Sequence, residues 1–164
     1  MKKYILPVII LLVAVAGYFL FSSGGEEEKI RETLKILCRM GSKSKRDNPA
    51  ASALLISKTD RIFTEKFSVN INKGMFDGEY TPTAMTQDLA RYRAIFSNVK
   101  VDFQDLEIFF PEKHSATVLF TGVINGNTKQ GKSISEARDV ECRMEKKDKD
   151  WKISRLIIRE VLER

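Results

Sequence analysis

The longest apolar stretch of the chain runs from Tyr4 to Phe21 without a charged residue. As a helix it would extend about 27 Å, close to the thickness of the hydrocarbon core of a bilayer. Lys2 and Lys3 precede it, and positive charge is retained on the cytoplasmic side of a membrane. The pattern therefore predicts a transmembrane anchor over residues 1–21, with the rest of the chain exported.

A cleavable signal peptide is the alternative for this segment, because Ala14 and Ala16 satisfy the small-residue rule for cleavage. The anchor is favoured because the stretch is longer than a usual signal core, and cleavage would leave an apolar new N-terminus at Gly17. Two lysines before a short apolar segment are typical of bacterial proteins. We therefore expect a single-pass inner (cytoplasmic) membrane protein with its N-terminus inside and a periplasmic domain.

Helical spacing of apolar positions returns in three later segments. It predicts helices over about 26–40, over about 49–63 and over about 82–97. Asp47 or Asn48 precedes Pro49, and Thr81 precedes Pro82, which is the usual order of cap and proline at the start of a helix.

Alternation of apolar and polar residues then predicts strands. They cover about 67–71, 99–110 with a slip near Asp105, 116–125, 132–146 and 151–162, with a loop at 74–78 and turns at 126–131 and 147–150. Helices followed by an antiparallel meander predict an α+β domain, with the helices packed on one face of a curved sheet. The predicted organisation is an anchor at 1–21, a flexible linker at 22–27 and one domain at 28–164.

Composition excludes several classes of protein. The chain has 164 residues and a net charge of +6, with 43% hydrophobic and 30% charged residues, which excludes a disordered chain and a polytopic membrane protein. Two Cys and one His exclude a disulfide scaffold and a Cys- or His-rich metal site. Mixed charge signs argue against nucleic-acid binding. A basic loop at Lys43, Lys45 and Arg46 is either solvated or in contact with anionic lipid headgroups.

The closing segment from Asp150 to Leu156, which contains Trp151, Lys152 and Ile153, resembles the last strand of the nuclear transport factor 2-like superfamily (SnoaL-like, cystatin-like cone fold). Together with the order of the predicted elements, the resemblance covers roughly residues 28–162. It implies a pocket between the helices and the sheet, and frequent dimerisation through the sheet. The superfamily includes dehydratases, isomerases, hydrolases, transport adaptors and secretion scaffolds, so the fold does not choose among them.

Enzymes of this superfamily generally have an Asp or His base with a Tyr or His partner, and the chain departs from that pattern. His114 is the single His and falls in a predicted turn, where a surface role is favoured. Asp60 lacks a His partner and is better explained as a turn or cap residue. We therefore predict no catalytic residue, no metal and no cofactor.

Strand parity supplies candidate ligand-binding residues instead. Arg138 shares the predicted core face of its strand, where it either lines the pocket or forms an ion pair with Glu136. Arg155 shares parity with Trp151 and Ile153, although apolar residues on both faces leave its direction open. Tyr80 and Tyr92 would add hydroxyls, with Tyr92 filling the core as the alternative. An Arg fork at this position suits a carboxylate ligand.

Cys38 and Cys142 both occupy predicted core positions. In an oxidising periplasm they would form a disulfide if their Cα atoms lie within about 7 Å. The alternative is two buried thiols that pack as small apolar residues.

The leading hypothesis is a membrane-tethered, non-catalytic module of the cell envelope that binds a small ligand or a protein partner. The bilayer, through residues 4–21, and a second copy, through the sheet, are the expected partners. The first alternative is a dehydratase- or isomerase-type enzyme that uses the cone pocket. The second alternative is a secretion-type scaffold or a self-associating spacer.

Overall fold

The computed structural model describes residues 25–71 and 76–160. The predicted anchor at 4–21 lies outside these residues. Within the part of the chain that is described, no helix is long and apolar enough to cross a membrane. The chain divides into two compact units, Met1–Glu32 and Thr33–Arg164. The described residues of the first unit are helical, so residues 25–27 of the predicted linker belong to a helix.

Four helices are described, and two of them begin at the predicted cap and proline. They are α1 (25–41), α2 (Pro49–Ile56), α3 (Thr59–Ile62) and α4 (Pro82–Ile95). Asn48 caps α2 by accepting a hydrogen bond from the backbone N–H of Ala50, and Thr81 caps α4 by accepting one from Ala84. The predicted second helix is interrupted at Ser57, which ends α2 as its C-cap.

Six strands form one sheet in the order β2-β1-β6-β5-β4-β3. Their bounds are β1 (Phe63–Ile71), β2 (Phe76–Tyr80), β3 (Phe96–Glu112), β4 (Ser115–Thr128), β5 (Ser133–Lys147) and β6 (Asp150–Glu160). The last four strands form the predicted antiparallel meander. The slip expected near Asp105 is confirmed, because the register shifts between Gln104 and Glu107 and Asp105 has a φ of 53°.

Three details of the sheet differ from the sequence prediction. Strand β2 occupies part of the predicted loop and pairs with β1. Gly126 lies inside β4, opposite Val99, rather than in a turn. Strand β1 runs parallel to β6, which local periodicity cannot predict because the pairing joins segments distant in sequence.

The face of the sheet that the helices cover is called the inner face. Its centre is formed by Val118, Cys142 and Ile153, each with no exposed surface. Trp151 lies at the same end of the sheet and contacts the ring of Phe110 edge-on, at 5.8 Å between ring centroids. This end of the domain is therefore a closed apolar core.

Candidate functional site

The inner face is fully buried at one end of the strands and partly exposed at the other. Strand register places a set of half-buried residues on the inner face at this end. They are Ile71, Val101, Phe103, Gly122, Ile124, Val140 and Ile158. Phe103 and Phe120 pack against each other there, with ring centroids 4.3 Å apart. We call this surface the open half. It is an apolar surface that remains partly exposed among the described residues.

Arg138 lies at the rim of the open half and is already paired. Its guanidinium contacts Glu136 at 3.3 Å and Glu160 at 3.6 Å. Register places these residues on the same face, because Arg138 pairs with Gly122 on one side and with Glu160 on the other. The structure therefore contains the ion pair that the sequence offered as the alternative, and two carboxylates already occupy the Arg fork.

Tyr92 on α4 contributes an unusual polar group. Its hydroxyl is buried and has no hydrogen-bond partner among the described residues. The ring packs against Phe96, at 4.9 Å between centroids. Burial raises the pKa of Tyr92, and the neighbouring Arg93 guanidinium opposes that shift. A buried phenol without a partner costs free energy, because a buried polar group is unfavourable until it is hydrogen-bonded.

The other two predicted ligand-binding residues lie elsewhere. Tyr80 closes β2 and stacks on Phe67 at 5.9 Å. The pKa of Tyr80 is raised by burial and by a hydrogen bond to Asp88. Arg155 lies on the outer face of the sheet, because Ser154 bulges between the pairs Met144–Ile153 and Arg143–Arg155. Arg155 therefore leaves the face of Ile153 that strict alternation assigns to it.

The two residues considered as acid or base candidates are both exposed. His114 lies in the turn between β3 and β4, where its backbone carbonyl accepts a hydrogen bond from Lys146. Asp60 lies in the first turn of α3, and its backbone carbonyl accepts a hydrogen bond from the Lys152 ammonium. Neither side chain lies on the inner face.

Both cysteines are free thiols, so the disulfide alternative is not formed. Burial, and secondarily the Asp102 carboxylate, raise the pKa of Cys38 to about 12. Cys142 has no exposed surface, and burial raises the pKa of its thiol as well.

Arg93, which the sequence pattern does not indicate, is 6% exposed and joins α4 to the segment after α1. One end of its guanidinium donates to the backbone carbonyls of Met40 (2.9 Å) and Ser42. The other end donates to Asp47 at 2.8 Å and to Ser52 at 3.0 Å. No periodic signal distinguishes this arginine from its exposed neighbour Arg91, because its partners come from distant segments.

The described part of Thr33–Arg164 is thus a domain of the helix-on-sheet class with a one-sided apolar site. No protein-family model and no curated protein matches the chain. Solved structures do match, at low sequence identity. The Kfla4162 protein from Kribbella flavida aligns with a TM-score of 0.70 and 10% identity, over 85% of this chain and 93% of that one.

Two further structures give the same result. The hexachlorocyclohexane dehydrochlorinase LinA-type3 from Novosphingobium barchaimii LL02 aligns with a TM-score of 0.68 and 14% identity, over 87% of this chain and 90% of that one. A nuclear transport factor 2 (NTF2-like) superfamily protein from Salmonella enterica serovar Typhimurium LT2 aligns with a TM-score of 0.66 and 11% identity, over 86% and 94%. The fold is therefore the nuclear transport factor 2-like fold, as the resemblance implied.

Proposed function

We propose that this protein is a non-catalytic binding module of the cell envelope that holds an apolar small molecule against the open half. The observation that carries the proposal is the partly exposed apolar surface of the open half. Helix α4 adds one buried hydroxyl, that of Tyr92, which has no hydrogen-bond partner among the described residues. Ligand sites in proteins are mostly apolar, with a few polar groups that fix the orientation of the ligand.

The placement of charged groups favours binding over catalysis. In the part of the chain that is described, the carboxylates that register assigns to the open half are Glu136 and Glu160, and both are paired with Arg138 at the rim. The charged group that affects the pKa of Tyr92 is a cation, Arg93. A proton-abstracting enzyme needs a base within hydrogen-bond reach of its substrate, and neither observation supplies one.

A dehydratase- or isomerase-type enzyme is the second candidate. It is favoured by the fold match to a hexachlorocyclohexane dehydrochlorinase and by the Tyr92 hydroxyl, which is suited to donate a hydrogen bond to a developing oxyanion. Turnover of a bound compound into a product of different mass would support this candidate over the binding module.

We expect the full-length protein purified from its host to carry a small-molecule adduct that native mass spectrometry detects. Replacing Ile158 with tryptophan should remove the adduct, because the larger side chain occupies the open half. Replacing Tyr92 with phenylalanine should weaken binding by about two- to tenfold, the effect of one lost hydrogen bond. It should not destabilise the free protein, because the hydroxyl removed has no described partner.

Ile157→Trp is the matched control, since Ile157 is adjacent, similarly half-buried and on the opposite face. The control should keep the adduct. Equal loss in both variants, or an adduct that survives Ile158→Trp in a folded protein, contradicts binding at the open half.

We further propose that residues 4–21 hold the domain at an inner membrane with its N-terminus inside, and that two copies associate through the outer face of the sheet. The uncharged apolar stretch behind Lys2 and Lys3 supports the anchor. Phe109 and Leu119 support the association, because they share the outer face and are 49% and 38% exposed.

One native mass spectrum from detergent micelles tests both statements. We expect a dimer of protomers at the full-chain mass of 18.7 kDa, with the apolar segment retained. Leu119→Glu should shift the dimer to monomer. Leu54→Glu should not, because Leu54 is 65% exposed but lies on helix α2 and not on the outer face of the sheet. A shortened mass would support the signal-peptide alternative, and a wild-type monomer would contradict the association.

A further inference from the structure

A basic cleft lies apart from the open half, between the segment 42–48, the start of α2 and the start of β3. Its cavity measures about 480 Å³ and has Arg39, Lys43, Arg93 and Lys100 among its lining residues. A neighbouring cavity of about 400 Å³ is also lined by Lys43 and Lys100, and two further cations, Lys45 and Arg46, lie in its wall.

The charge of the two cavities is not balanced by their own acidic residue. Asp47 is the single acidic residue that lines them, and its carboxylate is engaged by Arg93 at 2.8 Å. Lys100 lies 3.6 Å from Asp102, in an exposed pair. Among the described residues, no carboxylate pairs with Arg39 or with the three cations of the segment 42–48, which are Lys43, Lys45 and Arg46. The cleft therefore holds a net positive charge, which favours an anion.

Lys43 is fixed in the middle of this charge. Its backbone pairs with Val99 at the sheet edge through two hydrogen bonds of 2.7 and 2.9 Å. Its ammonium donates to the carbonyls of Arg93 (2.9 Å) and Phe96 (2.7 Å). These acceptors are neutral, so the positive charge of Lys43 remains uncompensated while its position is set. A preorganised cation loses little entropy when it binds an anion.

The walls suit a phosphate ester better than a bare ion. Arginine side chains such as Arg39 and Arg46 present planar forks that match phosphate oxygens. Ser44 adds a hydroxyl, and α2, whose first turn has no acidic residue, begins at the cavity wall. Ala51 and Leu55 supply apolar surface beside these groups. A cavity of several hundred Å³ with this mixture accommodates an organic group as well as the phosphate.

We propose that the basic cleft binds a phosphate ester, with Arg39 and Arg46 holding the phosphate and Ala51 and Leu55 contacting its organic part. The phosphate belongs either to a soluble metabolite or to a phospholipid headgroup. This site is separate from the one in the proposed function, and its failure would leave that proposal unaffected.

The test titrates the full-length protein, held in phosphatidylcholine nanodiscs, with glycerol 3-phosphate. Isothermal titration calorimetry at constant ionic strength measures the binding. We expect saturable binding that is weakened at least about tenfold by Arg39→Gln/Arg46→Gln, because two charge-assisted contacts are lost. The control is Arg61→Gln/Lys149→Gln, which removes the same charge from two exposed residues outside the cleft. It should change the affinity less than twofold.

Nanodiscs that contain phosphatidylglycerol distinguish the two sources of phosphate. Weaker binding of glycerol 3-phosphate in these discs supports a lipid headgroup in the cleft, and unchanged binding supports a soluble ester. The absence of saturable binding in phosphatidylcholine discs, or equal weakening by both double variants, overturns the proposal.

Discussion

Replacing Arg93 with methionine should lower the free energy of unfolding by about 3–5 kcal/mol, the usual cost of removing one partner of a buried charge pair. The variant leaves the carbonyls of Met40 and Ser42 without their donor and leaves Asp47 without its cation. Urea unfolding of the full-length protein, followed by circular dichroism, measures the change. The loss should be large because Arg93 connects α4 with the segment that precedes α2.

Two companion variants separate the effect of charge from that of geometry. Arg93→Lys keeps the charge but cannot span both sets of acceptors. Its free energy of unfolding should therefore lie between those of the wild type and Arg93→Met. Arg91→Met is the matched control, because Arg91 is on the same helix, has a side chain that is 76% exposed and, within the described residues, pairs with Asp88 at the surface. Its loss should stay below about 1 kcal/mol. An Arg93→Met protein as stable as the control contradicts the structural role.

Replacing Gly126 with alanine should be the second most damaging change, at about 2–3 kcal/mol, because the added methyl group overpacks a contact between two strands. A Cβ at this position would lie 2.6 Å from the carbonyl oxygen of Asn98 and 2.9 Å from the Cα of Val99. Both atoms belong to the backbone of β3, which cannot yield as a flexible side chain does. Strand β3 would have to move away from β4.

Gly122→Ala is the control for that experiment, since Gly122 is on the same strand and face. Its added Cβ would meet Val140 at 3.5 Å, an ordinary contact distance. We expect a change within about 1 kcal/mol, and a small gain is consistent with reduced entropy of the unfolded chain. Urea midpoints of the two variants should therefore differ clearly. Equal midpoints would show that β3 adapts freely at Asn98.

The residues predicted to bind a ligand show how far the sequence alone determines the position of a side chain. Arg138 was placed on the inner face correctly, because its strand alternates without interruption as far as the rim. The direction of Arg155 stayed open in the sequence, and the structure places it on the opposite face from Ile153 because one bulge, at Ser154, reverses all positions after it. No feature of the sequence indicates the role of Arg93. Helical periodicity predicts which face of α4 the residue lies on, but it does not predict the hydrogen-bond acceptors that residues Met40 to Ser52 provide.

The sequence alone determined the local features of the fold. These are the helix caps at Asn48 and Thr81, the slip near Asp105, and the order of helices and strands that predicts an α+β domain. These features depend on neighbouring residues and on the period of side-chain burial, which a single chain displays directly. The tertiary structure alone decided the parallel pairing of β1 with β6, the network of Arg93 and the assembly of the basic cleft. Each of these joins residues far apart along the chain, and such distances are set only when the strands and helices pack.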